Sequence, residues 1–67
     1  MTSQPISVGD YVRGHDPDYG EDLAGVVSEV AQARSGELEV LFTNELEGAF
    51  QGQRVALPAR WITGVGH

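Results

Sequence analysis

The segment Arg54–Gly64 constrains this chain more than any other. Val55 and Leu57 alternate with Arg54 and Ala56, the period-two pattern of a strand with one face on a core. Pro58 then fixes φ near about −65° and is suited to open a 3₁₀ turn through Trp61. Ile62 to Val65 follows as a second short strand. The only tryptophan of the chain therefore sits where the turn folds back onto a core.

The rest of the sequence supplies the strands that this element would close. Ile6, Val8 and Val12 share one parity and are expected to face inward, with Tyr11 and Arg13 outward. Asp10 breaks that pattern, which a turn at Gly9-Asp10 explains. Residues 14–22 hold two glycines, a proline and four acids, and read as a long loop. Alternation resumes at Leu23–Val30, with Ala24, Val26, Ser28 and Val30 on one face. Gly25 marks a bulge or a close backbone approach. Ser35-Gly36 turns the chain into Glu37–Phe42, the clearest strand, with Leu38, Val40 and Phe42 inward and Glu37 and Glu39 toward water. Thr43 to Gln53 is a second connection. Within it, Phe50 either extends a strand or marks an exposed patch. These elements predict an all-β fold of five strands with a 3₁₀ turn before the last. Residues 1–5 read as a flexible lead-in and 6–66 as a single domain.

Size and charge limit what such a domain can do. A chain of 67 residues has room for one small core, and without cysteine it has neither a disulfide nor a thiolate zinc site. Ten acids face four arginines, for a formal charge of −6. That charge opposes direct contact with a phosphate backbone and favours a basic or neutral partner. No apolar run approaches the roughly 20 residues of a membrane span, and the first residues lack the basic and apolar regions of a signal peptide. A cytoplasmic protein without membrane contact is the expectation.

Few residues offer chemistry. His15, Asp16, Asp18, Glu21 and Asp22 form the densest polar cluster, yet their spacing matches no calcium loop, and a solvated acidic loop is the favoured reading. His15 and His67 are the only imidazoles, and no Ser or Thr is spaced to make a nucleophile–base pair with them. No catalytic residue, no metal site and no cofactor are assigned. Trp61 is expected to pack one face and leave an edge available. Arg13, Arg54 and Arg60 either form a basic patch around it or pair with Glu37 or Glu39 across strands. Strand parity leaves Tyr11, Val27, Leu41 and Ala56 outward, joined by Phe50 if it marks a patch. They form either a contact surface or the far side of a thicker core. Tyr11, Tyr19, Leu41, Phe50 and Trp61 are the candidate binding residues.

Four runs carry a resemblance to a known family: Val8-Gly9-Asp10-Tyr11-Val12-Arg13, Gly25-Val26-Val27, Leu38-Glu39-Val40-Leu41-Phe42 and Val55-Ala56-Leu57-Pro58-Ala59-Arg60-Trp61-Ile62. Their succession resembles that of SH3-like barrels. The opening run is similar to bacterial and plastid accessory barrels, among them the small barrel of photosystem I, the variable chain of ferredoxin-thioredoxin reductase and the nitrile hydratase β-subunit barrel. The resemblance implies a small five-stranded SH3-like barrel that docks on a larger protein and has no active site of its own. Two departures narrow it. Only Tyr19 represents the aromatic cluster of peptide-binding SH3 domains, and the acidic charge does not suit an acidic ferredoxin partner.

The expected function is a non-catalytic interaction module that binds a larger protein or itself. An accessory subunit of an enzyme or electron-transfer complex, and a nucleic-acid-related barrel or acidic phosphate mimic, are the alternatives.

Overall fold

A computed structural model describes residues 6–66; Met1–Pro5, read above as a flexible lead-in, and His67 lie outside the described residues. The elements are β1 (Tyr11–Asp16), β2 (Glu21–Gln32), β3 (Leu38–Thr43), β4 (Arg54–Pro58), a 3₁₀ turn (Ala59–Trp61) and β5 (Ile62–Gly66). No α-helix occurs among the described residues. All neighbouring strands are antiparallel, in the order β4-β3-β2-β1-β5. The end strands β4 and β5 are joined by the 3₁₀ turn and share no ladder, so the sheet curls without closing.

The curl originates in β2. Its first half pairs with β1 from Glu21 to Val26, and its second half pairs with β3 from Val27 to Gln32. Between Val27 and Glu29 the register slips, inserting Ser28 as an extra residue whose hydroxyl donates to the Leu41 carbonyl at 3.2 Å. Such a bulge bends the strand and increases its twist. The two halves of the sheet thus fold over one core of Val12, Leu23, Val27, Val40, Phe42 and Leu57. Ile6, Val30, Phe50, Val55, Trp61, Ile62 and Val65 pack around it. Each fully buried aliphatic or aromatic side chain contributes about 1.5–3 kcal/mol.

Two glycines allow this packing to be tight. A Cβ on Gly14 would lie 2.8 Å from Leu57 Cδ1 and 3.0 Å from the Trp61 carbonyl oxygen, so β1 presses directly against the closing turn. A Cβ on Gly25 would strike the Thr43 carbonyl oxygen. Gly25 is therefore a close backbone approach, and the bulge lies three residues further on.

Five strands and the 3₁₀ turn are as the sequence predicts, with Pro58 at φ −55 leading into the turn. Four local readings change. β1 begins at Tyr11, because Ser7–Asp10 is a turn: Asp10 N–H donates to the Ser7 carbonyl at 3.0 Å, and Ser7 N–H donates to Asp10 Oδ2 at 2.9 Å. Val8, expected in the core, is consequently exposed. Residues 14–22 are not a long loop. β1 and β2 stay paired to Asp16 and Glu21, leaving only residues 17–20 as the hairpin turn. Finally, the inward face of β2 is inverted at its centre: Val27 is buried and Val26 exposed. Leu38, expected inward, is also exposed, since it starts β3 opposite Gln32 at the far end of the ladder, beyond the core.

Candidate functional site

Where the sheet fails to close, a shallow groove of about 230 Å³ runs beside β4. Gln53, Arg54, Val55, Ala56 and Leu57 form one wall, Asp16 and Tyr19 the other, with Leu23 and Phe50 between. Successive strand residues point to opposite faces. A groove lined by every residue from Gln53 to Leu57 must therefore follow the edge of the strand.

The register identifies which backbone groups face that groove. Asn44 N–H donates to the Gln53 carbonyl at 2.9 Å and the Asn44 carbonyl accepts Gly52 N–H at 2.8 Å, so both backbone groups of Asn44 point to the β4 side. Antiparallel ladders alternate bonded and non-bonded pairs. Phe42–Val55 and Val40–Leu57 are then bonded pairs, while Arg54, Ala56 and Pro58 occupy non-bonded positions opposite Thr43, Leu41 and Glu39. The N–H and C=O groups of Arg54 and Ala56 point away from β3, toward the groove. Pro58, which has no N–H, falls at such an outward position, where proline is tolerated in a sheet.

Local chemistry builds the opposite wall. Asp16 Oδ1 accepts the N–H groups of Asp18 (2.8 Å) and Tyr19 (3.4 Å), and Gly20 N–H donates to the Asp16 carbonyl at 2.7 Å. The acids expected to make a solvated loop thus shape a tight turn. The turn projects Tyr19, 70% exposed, edge-on to Phe50 with ring centroids 5.2 Å apart. Glu21 Oε1 accepts the Ala49 N–H at 3.1 Å, tying the 44–53 connection to the hairpin. Phe50 neither extends a strand nor stands exposed: it lies half-buried in the turn before β4, packed on the core and lining the groove.

The other candidate residues lie elsewhere. Tyr11, half-exposed, pairs with Val26 and Gly66 at the start of β1. Leu41 is half-buried on β3. Trp61 packs against the core, with the Arg60 guanidinium 5.5 Å from its ring centroid. Only Tyr19 and Phe50 meet. Val27, expected outward, is buried, so no continuous apolar outer face exists through it. Nor do the arginines make a patch: Arg13 lies 3.8 Å from Asp22, Arg54 3.2 Å from Glu29, and Arg60 pairs with Glu37. The groove wall of β4 is not readable from sequence, because which strand is an edge is a property of topology. Pro58 at the strand's end is the one sequence sign that points to it.

His15 and Asp22 face each other across β1 and β2, His15 Nδ1 lying 2.8 Å from Asp22 Oδ1. The hydrogen bond from His15, with the charges of His15 and Arg13 acting in the same direction, holds the Asp22 carboxyl below its ordinary value. A depressed folded value means that stabilisation is present above the unfolded carboxylate range and lost as pH falls through the depressed one. The urea midpoint of the wild type is therefore expected to exceed that of Asp22→Asn at neutral pH. The two should converge as acidification protonates Asp22; parallel curves throughout would show that the carboxylate contributes nothing. Among the described residues no three His, Cys, Asp or Glu side chains converge to hold a metal ion.

The chain matches no protein-family model, no curated protein and no solved structure. What the site can do rests on its geometry. Tyr19 stands in water with one ring neighbour, and its removal forfeits little beyond an exposed edge-on contact of about 0.5–1.5 kcal/mol. Tyr19→Ala is expected to lower the unfolding free energy by no more than about 1.5 kcal/mol in urea titration. A larger loss would make the ring a structural member of the hairpin.

Proposed function

We propose that this domain is a non-catalytic interaction module that docks on a larger protein. The observation carrying this reading is the groove itself, an unpaired strand edge headed by the exposed Tyr19 set against the half-buried Phe50. Exposed aromatic residues at the head of a groove are common anchors of protein interfaces. The groove's about 230 Å³ lies below the ~300–1,000 Å³ of ordinary small-molecule sites. Its lining also holds no nucleophile–base pair, which supports an interaction role over a reaction. The strand succession and the 3₁₀ turn before β5 support reading the curled sheet as an SH3-like barrel, the architecture whose accessory members the sequence resembles.

A photo-cross-linking amino acid in place of Tyr19, compared with the same replacement of Leu38 at the far end of β3, tests the reading in the native host. A discrete protein adduct from position 19, absent from position 38 and identified by mass spectrometry, is the expected result. Identical patterns, or no adduct from either position, would overturn it.

A further inference from the structure

Taking the interaction-module reading as its basis, we infer that the partner contributes an extended basic segment, which adds to β4 as a sixth strand of the sheet. Two independent observations lead there. The first is the edge: the outward N–H and C=O groups of Arg54 and Ala56 are four backbone groups, and no described strand pairs with them. β4 spans five residues, roughly 17 Å at ~3.3 Å per residue. A short guest strand fits that length, and main-chain hydrogen bonds are how strand addition holds an otherwise variable peptide. Inward guest side chains would fall over Leu23, Phe50 and Leu57, and outward ones would face the rim.

The second observation is the charge of the two segments that flank the groove, of whose acids Asp16 lines it directly. The hairpin end and the 44–53 connection carry Asp16, Asp18, Glu21, Glu45 and Glu47 and no arginine or lysine. Among the described residues the only cation lining the groove, Arg54, is already held by Glu29. Asp18, Glu45 and Glu47 have no cationic partner among the described residues. Complementarity therefore selects a segment with lysine or arginine on its outward face. It disfavours a second copy of this chain, since each copy carries a formal charge of −6.

The probe is a nine-residue, end-capped peptide alternating valine with lysine, titrated into ¹⁵N-labelled full-length protein. Binding is expected to shift the Arg54 and Ala56 amide signals and slow their exchange. Affinity should weaken at least about fivefold between ~20 mM and ~300 mM salt. Two N-methylated peptides separate strand addition from simple adhesion, because bonding groups alternate along a strand. The version methylated at the residues that bond β4 should lose about tenfold or more, and the version methylated at the other set should retain affinity. Ala56→Pro, which removes an outward N–H at a position where proline is tolerated, should weaken binding similarly. If that variant does not fold, the methylated peptides still decide.

Equal binding by both methylated peptides, or by a valine–glutamate control, would overturn strand addition. So would a dimer in sedimentation whose Arg54 and Ala56 amides are already protected without peptide; the second copy would then be the occupant. A cross-link at position 19 combined with no binding by any peptide would sink this inference and leave the module reading intact. Absence of both would sink the two together.

Discussion

Replacing Asn44 by leucine is expected to lower the unfolding free energy by about 3 kcal/mol, measured by urea denaturation. Asn44 is the one buried polar side chain among the described residues, 1% exposed, and all its polar atoms are used. Its Oδ1 accepts Ala24 N–H at 3.0 Å and Leu46 N–H at 3.2 Å, while Nδ2 donates to the Leu46 carbonyl at 3.1 Å. Leucine has the same branching and number of side-chain heavy atoms, is bulkier, and supplies none of these bonds. The Ala24 amide is buried and loses its partner outright; an orphaned buried group costs about 1–3 kcal/mol. The Leu46 groups are nearer to solvent and recover part of their loss through water. The side chain also links the start of β2 to the 44–53 connection, so Phe50 should lose its fixed place over the groove. A loss below about 1 kcal/mol would mean that water substitutes for the amide and that the connection is held by other contacts.

Gly25→Ala should have an effect of similar size for the opposite reason, too many atoms instead of too few bonds. A new Cβ would meet the Thr43 carbonyl oxygen and come within 3.0 Å of the Phe42 ring. Backbone cannot rotate out of the way as a side chain can, so β2 and β3 must move apart at the centre of the core. Overpacking costs about 1–3 kcal/mol, and contact with backbone places this case at the upper end. At roughly 4–8 °C per kcal/mol for a domain this small, the melting temperature should fall by roughly 12–24 °C. Gly64→Ala supplies the contrast. Nothing lies within 4 Å of the atom it adds, and removing a flexible glycine from a strand stabilises by about 0.5–1 kcal/mol. If Gly25→Ala behaved like Gly64→Ala, the close approach of β2 to Thr43 would be disproved.

Much of the architecture was legible because it depends on local rules. Pro58 and the alternation on either side of it define the last two strands and their turn, and Glu37–Phe42 identifies β3 to within a residue. What was illegible depends on pairing. Alternation alone could not show that Ser28 is an extra residue, and that insertion, with Gly25 pressed on Thr43, puts Val27 in the core and Val26 outside. The acids between Asp16 and Asp22 looked like loop because isolated strands avoid them. Across a hairpin they make partners instead, His15 for Asp22 and the turn amides for Asp16. The candidate site was legible only in Tyr19 and Phe50. Its longer wall is main chain, and main chain leaves no signature in side-chain identity.

The pairing of β1 with β5 bears on how the protein is made. Val12 lies opposite Val65, and the Thr63 hydroxyl donates to the Arg13 carbonyl across 50 positions of sequence. A ribosome adding ~5–20 residues per second exposes β1 for roughly 3–10 s before β5 is synthesised. Throughout that interval the nascent hairpin has a bare flank, the kind of surface on which neighbouring polypeptides assemble wrongly. Closing so distant a contact is also the slow part of acquiring a β topology. Elongation speed between β1 and β5 thus sets how long that flank stays uncovered.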